Sequence, residues 1–284
     1  MVLSAVGRLI SWLGGSRTVE DEGMERCVPI WGCLLPSSYS LPALLKSAAL
    51  LLPFSFMEGE RKSHPAAQFK ELARGTLFQL HGPQDAEATL DVVFFHGLQA
   101  PGGGYRTAWW HSWESKRPDG SALCWPAELL GADFPLARIL SVSYSDASAP
   151  IRSGADVTAI GRSLASAILG GGVGLRPTIL VGHGLGGLVL QQVCLEWEKL
   201  ASSPQDAAAT RDRAADALSN VLGAVFYSAP LAGARLADAL PASLWPSPVL
   251  SYLQTLSKEQ AQLSDAFREL RGKKAGGRLA SMRS

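Results

Sequence analysis

The stretch Gly182-His183-Gly184-Leu185-Gly186 joins a short apolar run at residues 178–181 to a run with helical spacing at 188–200. Glycines two residues either side of a central position, between a strand and a helix, are the spacing of the G-x-S-x-G turn. That turn presents a nucleophilic serine on a strained backbone, and its flanking residues stay small so that strand and helix can close together. Here the central position holds Gly184. The small residues are kept and the hydroxyl is gone.

Three other readings of the same residues compete. A phosphate loop would end in Gly-Lys-Ser/Thr, and no lysine is present. Gly182, Gly184 and Gly187 match the dinucleotide pattern G-x-G-x-x-G, which would make this a nucleotide-binding domain. That pattern needs an acid at the end of the following strand, where the sequence has Tyr227-Ser228-Ala229-Pro230. The third is a glycine turn with no ligand.

Upstream, a β-branched and aromatic run ends in His96-Gly97-Leu98. A serine hydrolase builds its oxyanion hole from one N–H in such a loop and another from the residue after the nucleophile. Leu98 and Leu185 are the corresponding donors, with His96 and Gly97 beside them. Ser228 follows a later strand-like run and either contacts a ligand at the cleft mouth or caps a turn. His64, His81, His96, His111 and His183 are the histidines, and none follows the elbow. Asp206, Asp212, Asp216, Asp238 and Asp265 do follow it. With no histidine to orient, they read as solvated charges, and His183 reads as a packed neighbour of the turn. No catalytic set is intact.

The elements that must position these groups are legible as apolar runs at residues 88–95, 138–144, 178–181 and 221–227. Helical stretches are expected at 155–169, 188–200 and 251–271, with a polar excursion at 201–215. Nearly continuous apolar strands alternating with helices imply an α/β fold, a parallel sheet with helices on both faces. The expected division is a leader region at 1–85, a core at 86–271 and a flexible basic tail at 272–284. No further strand-like run follows 221–227, so the last strands of a hydrolase sheet are expected to be missing, as from C-terminal truncation.

The runs VVFFHGL, Cys124-Trp125-Pro126, RILSVSYS, ILVGHGLGG and Val225-Phe226-Tyr227-Ser228-Ala229-Pro230 resemble, in order, the serine-active-site-containing protein family of lipase-like α/β-hydrolases. The resemblance covers roughly residues 88–270. It implies an α/β-hydrolase fold, a serine esterase or acyltransferase ancestry and a link to phospholipid remodelling at mitochondrial and endoplasmic-reticulum membranes. Gly184 and the absent downstream histidine depart from the family pattern. The expectation is therefore a pseudoenzyme that binds a lipid or acyl ligand or acts as an interaction module. The alternative is an active esterase of which this chain is a variant or shortened form.

The rest of the composition narrows the partners. A net charge of +1 gives no field for nucleic acid. Cys27, Cys33, Cys124 and Cys194 follow no zinc spacing, so no metal or cofactor is expected and an intracellular, reducing compartment is. No protein partner is indicated. Residues 1–17 have the basic, acid-free amphipathic character of a mitochondrial presequence, or of an ordinary surface helix. Residues 41–57 are apolar but interrupted by Pro42, Lys46 and Pro53, which suits a membrane surface or a packed segment better than a span.

Overall fold

The computed structural model describes residues 69–84, 86–98, 107–117, 119–144, 155–239 and 248–281. The stretches at 1–17 and 41–57 lie outside the described residues. The strands are β1 (Lys70–Ala73), β2 (Leu77–His81), β3 (Leu90–Phe95), β4 (Glu114–Lys116), β5 (Ala122–Cys124), β6 (Ala137–Val142), β7 (Thr178–His183) and β8 (Val221–Tyr227). Six of them form one sheet in the order β1-β2-β6-β3-β7-β8, and β4 and β5 form a separate hairpin. The four runs read from sequence are β3, β6, β7 and β8, and they pair in parallel.

The helices are α1 (Ala108–His111), α2 (Gly131–Asp133), α3 (Val157–Gly170), α4 (Leu185–Ser202), α5 (Ala208–Asn220), α6 (Arg235–Ala239), α7 (Pro248–Leu253) and α8 (Lys258–Ser281). A π-helical turn, Pro126–Leu130, leads into α2. The fold is mixed α/β, a central sheet flanked by helices. Asp156 caps α3, its carboxylate accepting from Ala159 N–H at 2.7 Å.

Three expectations need correction. The sheet is not wholly parallel: β1 and β2 add to its edge antiparallel. Both precede residue 86, so a boundary at 85/86 cuts through the sheet. Their sequences, KELA and LFQLH, mix charge with apolar residues and do not stand out as buried strands. The polar excursion ends in a helix, α5, because its alanines at 214 and 217 bury one narrow face. The basic stretch after 271 continues α8 and is helical to Ser281.

Strand alternation divides the core into two layers. Val93, Phe95, Leu140, Val142 and Leu180 face α3 and α4. Val92, Phe94, Ile139, Ile179 and Val181 face Trp109, Trp113 and Leu130 on the other side. At the amino end of β3 the fully buried Asp91 accepts hydrogen bonds from Arg138 Nε and Nη2, each at 2.8 Å, and from Arg176 Nη1 at 3.1 Å. Arg138 also donates to the carbonyls of Gly171 and Gly172 beyond α3. This buried charge cluster ties strands to a helix end at the edge of the sheet opposite the glycine turn. Among the described residues no helix is long and apolar enough to cross a membrane.

Candidate functional site

β7 ends at His183 and α4 begins at Leu185, so the reversal from strand to helix is made by Gly184 alone. Its φ is +54° and its ψ −124°, a left-handed conformation that a residue with a side chain adopts only at a cost. Gly184 N–H donates to Tyr227 C=O at 2.9 Å, and its carbonyl accepts from Gly187 N–H at 3.1 Å. These two bonds pin the turn between β8 and the first turn of α4.

The flanking glycines answer to packing. A Cβ on Gly182 would lie 2.6 Å from Gly187 Cα, and one on Gly186 only 2.1 Å from Phe95 O and 2.6 Å from His96 O. A Cβ on Gly187 would lie 2.5 Å from Ala229 Cβ. Strand, helix and neighbouring strands meet backbone to backbone here. Gly184 differs. Among the described residues a Cβ there would meet only Gly97 Cα, at 3.6 Å, an ordinary contact. The turn has the backbone strain and the open space that a serine would use, and no side chain to fill it.

The expected neighbours converge on this turn. Gly97 lies beneath it, and a Cβ on Gly97 would sit 2.9 Å from His183 Nδ1. His96 is 1% exposed and stacks on Tyr144 with ring centres 4.0 Å apart. Tyr144 Oη donates to the carbonyl of His96. His96 Nδ1 is 2.8 Å from Gly97 O, and since a carbonyl only accepts, Nδ1 carries the proton. Nε2 is then a bare lone pair, buried and without a hydrogen-bond partner among the described residues. Burial lowers the pKa of His96 from 6.5 to about 4, so the ring is neutral at physiological pH. His183, half-buried and with its pKa lowered by desolvation, has no described hydrogen-bond partner at its buried Nδ1. It packs against Gly97 and Trp113 as a neighbour of the turn.

Leu185 is buried and opens an 18-residue helix, so its N–H has no acceptor within that helix. Leu98, half-buried, is the residue after Gly97 and packs on the helical side of the core. Ser228 follows β8 directly, with φ +45°. Since Tyr227 pairs with His183, Ser228 stands at the carboxyl edge of the sheet next to Gly184.

An aromatic wall was not foreseen. Trp113, 4% exposed, lies 6.2 Å from the His183 ring and 5.0 Å from Phe94, with Trp125 closing on the same phenylalanine at 5.4 Å. Trp113 Nε1 donates to Ser141 Oγ at 3.1 Å, and that hydroxyl donates to Trp109 O at 2.6 Å. The tryptophans clustered between 109 and 125 were the available signal. Taken together, the turn offers helix-terminal N–H donors, two neutral imidazoles and an apolar wall. It has no hydroxyl at 184.

Protein SERAC1 of human (Homo sapiens) is 29% identical over 196 residues, covering 63% of this chain and 28% of the relative. Protein SERAC1 of mouse (Mus musculus) is 31% identical over the same length and shares. The zebrafish (Danio rerio) protein of that name is 32% identical over 164 residues, 52% of this chain and 23% of its own. The chain is homologous to these proteins and spans about a quarter of their length. No family model matches the sequence, and no solved structure matches it.

Proposed function

We propose that this protein is a lipase-like α/β-hydrolase relative that binds an acyl lipid or fatty acid at the Gly184 turn without hydrolysing it. The observation that carries this is Gly184 itself: nucleophile-turn backbone angles, room for a side chain, and no hydroxyl. In serine hydrolases, loss of the nucleophile or its base alone costs on the order of 10⁶ in turnover. This chain has neither a serine at 184 nor a histidine after it. The N–H of Leu185, with that of Leu98, would hold the carbonyl or carboxylate, and Trp113 and Phe94 back the apolar wall. The dinucleotide reading is the less favoured, because the following strand ends in Tyr227-Ser228-Ala229-Pro230 and offers no acid.

The homology and the family resemblance together favour a role linked to phospholipid remodelling at a mitochondrial or endoplasmic-reticulum membrane surface. One observation favours a second reading, an active esterase in a form of the protein with serine at 184: the space that serine would need is open. Labelling of the wild type and of Gly184→Ser with a serine-reactive fluorophosphonate, alongside ester hydrolysis, separates the two, since only the second reading expects Gly184→Ser to take the label and turn over ester. The binding-protein reading expects no label and no turnover in the wild type. Stoichiometric labelling of the wild type would overturn it.

A further inference from the structure

Leu256 is 91% exposed, far more than any other large apolar residue among those described. Its φ is +60°, a left-handed backbone unfavourable for leucine. A glycine would meet that geometry without strain. The turn is nonetheless braced on every side. Gln254 N–H donates to Leu250 O at 3.1 Å, Thr255 N–H to Asp238 Oδ1 at 2.8 Å, and Ser257 N–H to Gln254 O at 3.3 Å. The leucine is thus held outward by a rigid frame.

Leu231, 39% exposed, belongs to the same frame. Its carbonyl accepts from Gln260 Nε2, and Ala234 N–H donates to Leu253 O at 2.7 Å. A Cβ on Gly233 would lie 2.6 Å from Thr255 Cα, so the loop after β8 and the turn before α8 are in direct contact. That loop begins at the glycine turn, where Ala229 abuts Gly187. Leu231, three residues after Ser228, therefore stands on the rim of the candidate site, and Leu256 on the turn packed against that loop. The exposed charges around them are balanced, Arg235 and Lys258 against Asp238 and Glu259.

We propose that Leu256 and Leu231 form an insertion tip that seats this rim on a neutral lipid surface, from which the acyl ligand enters. The proposal rests on the acyl-binding reading above. A protein partner would need roughly 800 Å² on each side with a buried centre, and two leucines on a convex turn do not offer that. A bilayer interface accepts a small convex apolar knob and rewards each buried methylene. Balanced charge means the apolar contact, and not attraction to anionic headgroups, carries the binding.

The test is co-sedimentation of the full chain with phosphatidylcholine vesicles, for the wild type, L256G and the double variant L256G/L231S. Glycine suits φ +60°, so L256G should melt no lower than the wild type and keep the fold out of the question. Loss of Leu256 should lower vesicle partition by about tenfold, and loss of Leu231, with 39% of its surface exposed, by about fivefold more. Partition should change little between low and high salt. The proposal fails if the wild type does not bind, if L256G binds equally well, or if salt abolishes binding while the leucines are indifferent. It also fails if L256G dissolves a dimer and leaves vesicle binding unchanged. Titration with decanoate in the absence of vesicles separates this from the underlying reading. Decanoate binding with leucine-independent partition removes the tip alone. Leucine-dependent partition without decanoate binding removes the acyl site alone.

Discussion

Alanine placed at Gly184 and at Gly186 should have unequal costs, because the two glycines exist for different reasons. At 184 the added Cβ meets a single atom at 3.6 Å, so the penalty is conformational, the cost of φ +54° for a residue with a side chain. Such strain is worth about 1–3 kcal/mol. At 186 the Cβ falls 2.1 Å from Phe95 O and 2.6 Å from His96 O, both backbone atoms in the middle of the sheet's carboxyl edge. Neither can swing aside as a flexible side chain would. Overpacking ordinarily costs about 1–3 kcal/mol, and a collision with fixed backbone lies at or beyond the top of that range. For a body of about 200 residues, each kcal/mol shifts the melting temperature by about 2–4 °C. Gly184→Ala should therefore melt within about 10 °C of the wild type, with circular dichroism unchanged. Gly186→Ala should melt about 10 °C lower or more, or fail to accumulate. Equal losses would refute the argument, since Gly184 would then be a packing glycine like its neighbours and not a vacated nucleophile position.

Acidification should weaken the fold through His96. Its pKa is about 4 when folded and 6.5 ordinarily, so the unfolded chain takes up a proton that the folded one refuses. Stability should fall as pH drops from 6.5 to 4, by about 3 kcal/mol in all, and level off below. Urea melts at pH 7 and 5 should show it, and His96→Gln should shrink the difference; an unchanged difference would place the titration elsewhere. Asp91→Asn should cost about 3–5 kcal/mol, since it leaves Arg138 and Arg176 without their buried carboxylate. Any protein that remains folded in the cold should bind decanoate as the wild type does, because Asp91 lies at the far end of β3. Gly184→Ser should fold, with its strain partly offset by a side-chain cap on α4, yet hydrolyse ester only weakly with no histidine after the turn. Rates approaching those of a full serine hydrolase would reveal a base among His96 and His183.

Of the strands that build the site, β3, β6 and β7 were legible because they are buried on both faces, and β8, half-buried at the sheet edge, because its run is still apolar. β3, β6, β7 and β8 are near-continuous apolar runs, and each was found within a few residues of its ends. β1, the antiparallel edge strand, and β2 beside it were hidden because both are partly exposed, and Lys70, Glu71, Gln79 and His81 break the apolar signal. The glycine turn was readable from spacing, but spacing could not rank its glycines. Only the structure separates Gly182 and Gly186, where a Cβ would collide with backbone, from Gly184, where it would make an ordinary contact at 3.6 Å. His96 and His183 were both seen as residues near the turn, whereas the Tyr144 stack and the Trp113 wall come from contacts distant in sequence. The left-handed backbone at Leu256 has no sequence signature, since leucine is among the residues least expected there.

Calorimetric titration of the full chain with decanoate at neutral pH tests the central claim most directly. The account predicts saturable binding at a single site by a protein that no fluorophosphonate labels. Absence of any saturable heat, with the protein folded, would contradict it.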